Sequence, residues 1–523
     1  MELKGKPIYQ DVNHWMDLEG VEEVEGIRDK CTIEYLQKYL DTHIKMRDVT
    51  VAVAEVKTDG TYTAPNLWGA MGAVFLPPQY TDLPSFCNIE IKHKTGQYTE
   101  TIWVWVPLKW NGRLFGCCGG GNRTAMFNPD SPGLRGVTSV LPLSNGFATV
   151  CSDGANREDE VFGWGIDWDK KEMKQELYQN WIRYSTHTMT VVAKAVVAAL
   201  TGVAPSYSYI MGMSGGGRQV LSEAQNYPGD YDGYWSDCPC VSYNRMLAAL
   251  SWPFVVMNTY KNTLPIPKLE AFKEAAWECA GGREAFFNTT ERVETNPYSL
   301  VGKETEAGKI TELDAKVMDL IWQGAQTEDG QFLWYGMRPG VEAWREPTSY
   351  CSVREENGEW KPVNFPMNDE YFKNWVEKNP DYPIEKLDIK EFTRLFLKCQ
   401  ELFPDMDTES PDLRELRDLG GKLILCHGTD DDAIYVDGTI AYYEKIINLF
   451  GGKENAKETA RLFIVPGDGH GSYSKNGAGP SLATAMLALM DWVEKGKAPE
   501  QIHGQRFDMK TMSLAEEKDT PIY

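Results

Sequence analysis

A serine stands between glycines in the stretch YSYIMGMSGGGRQVLSEAQNYPGDYDG, residues 207–233. The apolar run before Ser214 predicts a strand, and the pattern after it predicts a helix, so GMSGG (212–216) satisfies G-x-S-x-G at a strand-to-helix turn. Small flanking residues permit the strained backbone and the close approach of chain segments that such a turn needs. The stretch therefore predicts Ser214 as a nucleophile, with the N–H of Gly215 directed at a developing oxyanion. The alternative is an ordinary glycine-rich turn.

Strands and helices alternate on both sides of this turn. TIWVWVPL, RLFGCC, FATVCSD and SYSYIMGM read as strands, and ELYQNWIRYSTHTMTVVAKAVVAAL (176–200) reads as one long helix. The alternation breaks near residue 250 and resumes with the strand of GGKLILCHGTD, the helix VDGTIAYYEKIINLF, the strand of ARLFIVPGDGH and the helix SLATAMLALMDWVEK. This order predicts an α/β fold with a mostly parallel sheet and helices on both faces.

The break divides the chain into an α/β domain and an insertion. We expect an N-terminal segment (1–88) packed on a catalytic domain (89–250 and 410–523), and a lid domain insertion (251–409) rich in Trp, Glu, Asn and Pro. An insertion between core strands emerges near the carboxyl edge of the sheet, where ligands of open α/β sheets bind. The insertion is therefore expected to cover the site as a lid.

Composition excludes several classes of partner. The formal net charge of −23 repels nucleic acid phosphates and anionic membrane surfaces, and no segment approaches the ~18 uninterrupted apolar residues of a membrane span. The start of the chain carries no secretory signal pattern, which favours a cytoplasmic protein, or a secreted one if the start is trimmed. The eleven cysteines read mainly as buried apolar residues, and no spacing of a structural metal site, a dinucleotide fingerprint or a Walker A motif is present, so no metal and no cofactor is expected.

A base and an acid follow Ser214 in the chain order used by α/β-hydrolases. His470 lies directly after a predicted strand in FIVPGDGHGSY, from which an imidazole can reach a serine over the sheet edge. In HGTDDDAI the spacing H-G-x-x-D-x-x-I selects Asp431 among three aspartates, while an acidic helix N-terminus accounts for the other two. His427 reads as a turn histidine with a packed ring.

A second oxyanion donor is expected upstream. WNGRLFGCCGGGN (110–122) places glycines after a predicted strand, and the free N–H of Gly119 or Gly120 would supply the donor.

These blocks together resemble the tannase and feruloyl esterase family of α/β-hydrolases. The resemblance runs from about residue 31 to 497 and includes CTIEYLQKYL, WNGRLFGCCGGGN, NGFATVCSDGAN, SGGGRQVLSEAQNYPGDYDG, GGKLILCHGTDDDAIYVDG and RLFIVPGDGH. It implies an α/β-hydrolase fold, a triad of Ser214, Asp431 and His470, an acyl-enzyme, and a lid. It also implies small-molecule esters of phenolic acids, galloyl or hydroxycinnamoyl, as substrates.

The sequence departs from the family pattern at the active site. The family usually has one cysteine directly before the serine and one directly after the histidine, joined as a disulfide; here those positions are Met213 and Gly471. Packing and hydrogen bonds must then hold the histidine. Cys31 and Cys87 fall on another family cysteine pair.

The insertion departs from the family as well. AWECAGGREAFFNTTERVE does not reproduce the calcium-binding loop of many relatives, so no calcium is expected. TEDGQFLWYGMRPGVEAW is similar to the family's later lid segment, where Trp334, Tyr335 and Trp344 are candidates for stacking on an aryl group; the alternative for each is packing in the lid core.

Two other functions stay open at this point. The triad fixes acyl transfer but not the acyl group, so an esterase or peptidase for a non-phenolic group on the same fold is one alternative. A non-catalytic binding protein that keeps the hydrolase fold is the other. The sequence leaves the oligomeric state open.

Overall fold

A nine-stranded sheet forms the centre of the molecule. The computed structural model describes residues 3–67, 79–125, 127, 138–156, 162–344, 351–472, 476–508, 511 and 513–523. The strands of the sheet are β1 (Val49–Lys57), β2 (Phe86–Thr95), β3 (Tyr98–Pro107), β4 (Arg113–Cys117), β5 (Ala148–Ser152), β6 (Tyr207–Met213), β7 (Gly233–Asp237), β8 (Lys422–Gly428) and β9 (Ala460–Val465). Their order is β9-β8-β7-β6-β4-β5-β3-β2-β1.

The sheet is parallel from β9 to β5 and antiparallel from there to β1. The parallel strands are buried on both faces, which explains why they read as nearly continuous apolar runs. Successive side chains of β6 point to opposite faces: Tyr209 and Met211 lie in the core on one face, and Ile210 lies in the core on the other.

Within the described ranges, ten longer helices accompany the sheet. They are α1 (Ile33–His43), α2 (Ser185–Thr201), α3 (Gly215–Asn226), α4 (Tyr243–Ala249), α5 (Trp252–Tyr260), α6 (Ile266–Cys279), α7 (Glu312–Gln323), α8 (Ile389–Leu402), α9 (Val436–Leu449) and α10 (Leu482–Lys495). Helix α10 packs on one face of the sheet, whereas α3 and α9 pack on the other. Helices on both faces agree with the predicted architecture.

Shorter elements complete the chain. Short helices cover Ile27–Lys30, Val140–Ser144, Gln175–Gln179, Arg283–Phe286, Pro366–Glu370, Arg414–Asp418 and Lys453–Lys457, with 3-10 turns at Gly163–Gly165, Pro297–Leu300, Ile384–Lys386 and His470–Ser472 and π turns at Asn180–Tyr184 and Tyr371–Val376. Two-stranded pairs join Lys6–Pro7 with Met16–Asp17, Tyr62–Thr63 with Gln79–Tyr80, Ile166–Asp167 with Glu172–Met173, Glu304–Thr305 with Gly308–Lys309, and Val353–Glu356 with Glu359–Pro362.

The N-terminal segment contributes directly to the sheet. Its strand β1 pairs antiparallel with β2 and forms one edge. Cys31 and Cys87 lie in the same buried cluster as free thiols, and their side chains contact each other. The C-terminal residues add a hairpin of β10 (Gln501–Asp508) and β11 (Ser513–Pro521). Neither β1 nor the hairpin was expected from the sequence.

The predicted long helix over 176–200 is two helices joined by a π turn. Gln175–Gln179 is followed by the π turn Asn180–Tyr184, and α2 then begins at Ser185. The guanidinium of Arg218 donates to the carbonyls of Trp181 (3.0 Å) and Ile182 (3.2 Å) in this turn. A buried cation is thus bound by carbonyl groups that the π turn leaves available.

The insertion is mainly helical and shares one apolar core with residues outside it. Residues from α5 to α8 supply much of the largest buried cluster, which also includes Phe162, Trp164 and Trp181 from the catalytic part of the chain. The boundaries of the domains stay a prediction. Among the described residues, no helix combines the length and the apolar character that a membrane crossing requires.

Candidate active site

Ser214 lies in the sharp turn between β6 and α3. Its backbone has φ 59° and ψ −124°, which is unusual for a residue with a side chain. Hydrogen bonds fix this strained conformation: the N–H of Ser214 donates to Asp237 O (2.9 Å), and its carbonyl accepts from the N–H of Cys240 (3.2 Å). A Cβ on Gly212 would overlap the carbonyl of Gly216, so the turn requires glycine there.

The hydroxyl of Ser214 is partly exposed, as a nucleophile must be. Its side-chain partner is Cys240, with Oγ and Sγ 3.9 Å apart. Between the described side chains of Ser214 and His470 no direct hydrogen bond forms. Catalytic hydrogen bonds often shorten only when substrate binds, so the lack of a direct Ser214–His470 hydrogen bond is compatible with a serine–histidine pair.

His470 contacts Asp431, as the sequence predicted for these two residues. Its Nδ1 lies 3.0 Å from Oδ2 and 3.2 Å from Oδ1 of Asp431. Asp431 is buried, and its Oδ1 also accepts from the N–H groups of Ala433 (2.8 Å) and Ile434 (2.7 Å). The imidazole is half-buried, with 23% of its side chain exposed. The carboxylate is therefore fixed, while the imidazole borders solvent.

His427 supports Asp431 from the other side, a role that the sequence reading missed. It is fully buried at the end of β8, and its Nε2 lies 3.1 Å from Asp431 Oδ2 and 2.9 Å from the Ile434 carbonyl. Its Nδ1 lies 2.8 Å from the hydroxyl of Thr439. Since a carbonyl only accepts, we assign the proton to Nε2, so His427 donates to Asp431. The spacing H-G-x-x-D, one helical turn apart, was the available signal.

The charges on Asp431 and His470 shift the pKa values of these two groups in opposite directions. Burial would raise the pKa of Asp431, but the neighbouring His470 and His427 outweigh burial and hold it below its ordinary value. Burial would lower the pKa of His470, but the Asp431 carboxylate outweighs burial and raises it well above 6.5. Asp431 therefore stays ionised and favours a protonated imidazole.

The other two aspartates do not belong to a helix N-terminus, so that interpretation is wrong. Helix α9 begins at Val436, and Asp437 is the acidic residue of its first turn. Burial raises the pKa of Asp430 to about 8 and that of Asp432 to about 6. Asp430 accepts from Asn476 (2.9 Å) and lies in the loop before the helix.

The candidate oxyanion donors differ in whether their backbone groups already have hydrogen-bond partners. The N–H of Gly119 donates to Gln219 Oε1 (3.1 Å), and this hydrogen bond counts against Gly119 as a donor to substrate. Gly120 forms an isolated antiparallel bridge with Arg123, whereas Gly215 begins α3, whose first N–H groups have no partner within the helix. A Cβ on Gly215 would overlap the carbonyl of Gly121, so the glycine loop lies directly against the start of α3.

Met213 and Gly471 are packed against each other. A Cβ on Gly471 would overlap the methyl group of Met213, and Met213 also packs with Cys238. Gly471 has φ 71°, a conformation that favours glycine. At the two positions where the resemblance implies a disulfide, the Met213 thioether therefore packs against Gly471 beside His470. This packing agrees with the expectation that packing, rather than a disulfide, holds the histidine.

The three candidate aryl-binding residues lie in or against the largest buried apolar cluster. Trp344 is 3% exposed and donates from Nε1 to Glu270 (2.9 Å); Trp334 is 8% exposed and packs on Gly438. Trp334 and the half-buried Tyr335 line a cleft of ≈ 420 Å³. Ser214, Asp431 and His470 are not among its lining residues, so aryl stacking by these side chains stays a prediction.

Comparison with known proteins gives one consistent result. The family model described as "Tannase and feruloyl esterase" matches residues 87–517. A probable feruloyl esterase of Arthroderma benhamiae is 29% identical over 430 residues, covering 79% of this chain and 77% of that protein. A probable feruloyl esterase B of Aspergillus clavatus is 26% identical over 511 residues, covering 92% and 90%.

Solved structures have the same fold. Feruloyl esterase B from Aspergillus oryzae aligns with a TM-score of 0.76 at 18% identity, covering 93% of this chain and 96% of that one. Tannin acyl hydrolase from Aspergillus niger gives 0.76 at 18%, covering 96% and 93%. These likenesses confirm the predicted α/β-hydrolase fold. They give no support to the expectation of a cytoplasmic protein.

Proposed function

Because this chain belongs to the tannase and feruloyl esterase family and is a carboxylic ester hydrolase, we propose that it cleaves esters of phenolic acids by a serine mechanism. The observation that carries the proposal is the hydrogen bond of 3.0 Å between His470 and the buried Asp431, at the sheet edge where Ser214 occupies its strained turn. A base oriented by a fixed carboxylate, together with a partly exposed serine hydroxyl, is the arrangement that acyl transfer needs.

In the proposed first step, His470 takes the proton of Ser214 as Oγ attacks the ester carbonyl. Asp431 holds the imidazole in place and stabilises the cation that forms, and its fixed hydrogen bonds to Ala433 and Ile434 keep it from turning away. The N–H groups of Gly215 and Gly120 donate to the oxyanion.

In the proposed second step, His470 returns the proton to the leaving alcohol, which departs and leaves an ester between the acyl group and Ser214. Water then enters, gives its proton to His470 and attacks the acyl carbon. Collapse of this intermediate releases the phenolic acid and restores the Ser214 hydroxyl. The insertion would act as a lid that limits access of water during the first step.

The phenolic acyl group is proposed from the relatives. Two curated relatives are named as probable feruloyl esterases, so a hydroxycinnamoyl ester is the first substrate to examine. A galloyl ester is the second, because a tannin acyl hydrolase shares the fold.

The test is a hydrolysis panel with a nucleophile variant. We expect turnover of methyl ferulate or methyl gallate to exceed that of a simple acetate ester and of a peptide amide. Ser214→Ala should lower kcat by about 10⁴-fold or more, because the acyl acceptor is lost.

The matched control removes the buried hydroxyl of Ser208, which lies in the strand before Ser214. Ser208→Ala lies at the opposite end of β6 and should keep wild-type turnover. Wild-type-like hydrolysis by Ser214→Ala would overturn the serine mechanism. Preference for the acetate or the amide would overturn the phenolic substrate class and favour a different acyl group on the same fold.

A further inference from the structure

Cys238 lies beside the proposed base without a role in the proposed reaction. One ligand atom each from Cys238, Asp431 and His470 lies within 4.8 Å of the other two. Cys238 is 1% exposed, and Asp431 is also buried, whereas His470 is reached by solvent. Three side chains of ligand type thus meet at a point where solvent reaches one of them.

The backbone holds the Cys238 thiol in this position. Cys238 follows β7 with φ 31°, outside the range that residues with side chains usually adopt, and Pro239 restricts the next peptide. Its N–H donates to the carbonyl of Cys426 (2.7 Å). Because the backbone is pinned and the side chain is buried against Met213, the thiol has little freedom to turn away from His470.

From this geometry we propose that Cys238, Asp431 and His470 bind Zn²⁺ and that bound Zn²⁺ inhibits the enzyme. A sulfur, an imidazole nitrogen and a carboxylate oxygen suit Zn²⁺, whereas Mg²⁺ and Ca²⁺ prefer oxygen ligands alone. Three protein ligands leave a fourth position open, as in zinc sites that accept water. The inhibitory part of the proposal rests on the proposed function, since it assumes that His470 is the base.

Binding replaces the protons of the ligands by the metal. The Cys238 thiol gives up its proton to solvent as the bond from sulfur to zinc forms, a protonated His470 does the same as its nitrogen binds, and no electron is transferred. With zinc on one ring nitrogen, the neutral imidazole keeps its proton on the other, so His470 cannot accept the proton of Ser214. Zinc and catalysis are therefore mutually exclusive, and a chelator should restore activity.

A second cluster supplies an internal control. Ligand atoms of His187, Glu223 and Asp230 also lie within 4.8 Å of one another, on α2 and α3 and in the loop that follows α3. There the imidazole donates to Asp230 (2.6 Å), and the ammonium of Lys194 lies against the carbonyl of the same residue. Substitution of His187 removes this cluster and leaves the proposed zinc site intact.

The first experiment measures metal binding without activity. Full-length protein is titrated with Co²⁺, whose bond to a thiolate gives an ultraviolet charge-transfer band, and Zn²⁺ is then added to displace it. We expect one equivalent with this band in wild type, in His187→Asn and in the inactive Ser214→Ala. We expect no band in Cys238→Ala, while Cys240→Ala should keep it. Absence of the band in wild type, or its persistence in Cys238→Ala, would overturn the site.

The second experiment measures inhibition in the same variants. Each activity is normalised to that of the same variant in EDTA, so any change in basal rate cancels. The Zn²⁺ concentration for half-inhibition should rise about 100-fold in Cys238→Ala and stay unchanged in His187→Asn.

The two experiments separate the proposals. A cobalt band in a protein that hydrolyses no ester would support the metal site and overturn the proposed function. Hydrolysis that is equally sensitive to Zn²⁺ with and without Cys238 would support the function and overturn the site. Should Cys238→Ala fail to fold, Cys238→Ser keeps the volume of the side chain and removes the thiolate.

Discussion

At the scale of single residues, Asp431 is the best-supported side chain of the site. It accepts from His427, from His470 and from two backbone N–H groups, so both of its oxygens are used. His427 and His470 both contact the Asp431 carboxylate. A change at His427 therefore alters how strongly Asp431 stabilises the protonated His470, although His427 itself does not touch substrate in the proposed reaction. We regard His427 as a positioning residue.

Substitution of His427 should therefore change the pH profile of the reaction. In His427→Leu the Asp431 carboxylate loses a donor, and more of its charge acts on the His470 imidazolium. The pKa of His470, already above 6.5, should rise further. Since the reaction needs neutral His470, the acid limb of kcat/KM should move to higher pH, and kcat at neutral pH should fall about 10-fold.

The matched control acts on the opposite nitrogen of the same ring. Thr439→Val removes the hydroxyl that faces Nδ1 of His427 and leaves the bond from Nε2 to Asp431 in place. Its acid limb should stay where it is in wild type. An unshifted acid limb in His427→Leu would mean that His427 has a structural role alone.

Sequence reasoning reached some of these residues and missed others for physical reasons. The contact of Asp431 with His470 followed from spacing, because an acid after one strand and a base after the next meet at the same sheet edge. The bond between His427 and Asp431 was missed, since a histidine on a buried strand end looks the same whether it packs or donates. The hydrogen bond from the N–H of Gly119 to Gln219 joins residues one hundred positions apart, so no local sequence pattern indicates it.

At the scale of elements, backbone contact between β6, α3 and the glycine loop defines the site. A Cβ on Gly216 would overlap the carbonyl of Gly119, and a Cβ on Gly215 would overlap that of Gly121. The start of α3 and the loop after β4 therefore touch backbone to backbone. This contact places the glycine loop beside the turn that holds Ser214.

Substitution of Gly212 should disturb this contact. In Gly212→Ala the new methyl group would overlap the Gly216 carbonyl and lie 2.7 Å from Cys118 Cβ, so α3 must shift. We expect a loss of about 2 to 3 kcal/mol in the free energy of unfolding and a fall in kcat/KM of about 100-fold. Urea denaturation and ester hydrolysis measure the two effects.

Gly229→Ala provides a comparison at a glycine with room. Its nearest atom would be Leu419 Cδ1 at 3.6 Å, an ordinary contact. Both the unfolding midpoint and the turnover should match wild type. Equal behaviour of the two variants would show that close packing at Gly212 does not constrain the turn.

The elements differ in how far sequence could predict them. Strands β4, β5, β6, β8 and β9 were predicted because burial on both faces makes them largely apolar. Strand β7 (GYWSD) was not predicted, since it is short and contains polar residues. Edge strand β1 (VTVAVAEVK) was not predicted either, nor was its pairing with β2. The π turn before α2 was not predictable, since Arg218, the residue that uses its free carbonyls, comes more than thirty positions later.

At the scale of the whole molecule, an acidic chain contains buried carboxyl groups that resist ionisation. The net charge is −23, and burial together with the nearby Glu409 raises the pKa of Asp407 from 3.8 to about 7. In the unfolded chain the same group loses its proton near 3.8. The proton therefore stabilises the fold fully below pH 3.8, and this stabilisation is lost as the pH rises to 7.

Replacement of Asp407 tests this account away from the proposed active site. Asp407→Asn keeps an oxygen for the N–H of Asn244 (2.7 Å in wild type) and removes the charge. We expect the free energy of unfolding to increase by about 1 to 2 kcal/mol at pH 8, and by much less at pH 5, where wild type already holds the proton. Urea midpoints at the two pH values measure the difference.

An exposed carboxylate should give a stability change of the opposite sign on substitution, and so isolates the effect of burial. Asp412 binds Arg414 (2.6 Å) at the surface, and this bond lowers its pKa to about 2, so its charge favours folding at every pH above 3.8. Asp412→Asn should then lower stability slightly and equally at pH 5 and pH 8, because exposed ion pairs contribute little. An equal stability change in Asp407→Asn at both pH values would contradict this account. It would mean that Asp407 is already ionised at pH 5. The fold would then tolerate that charge through Arg245 and Arg218, the cations that lower the pKa of Asp407.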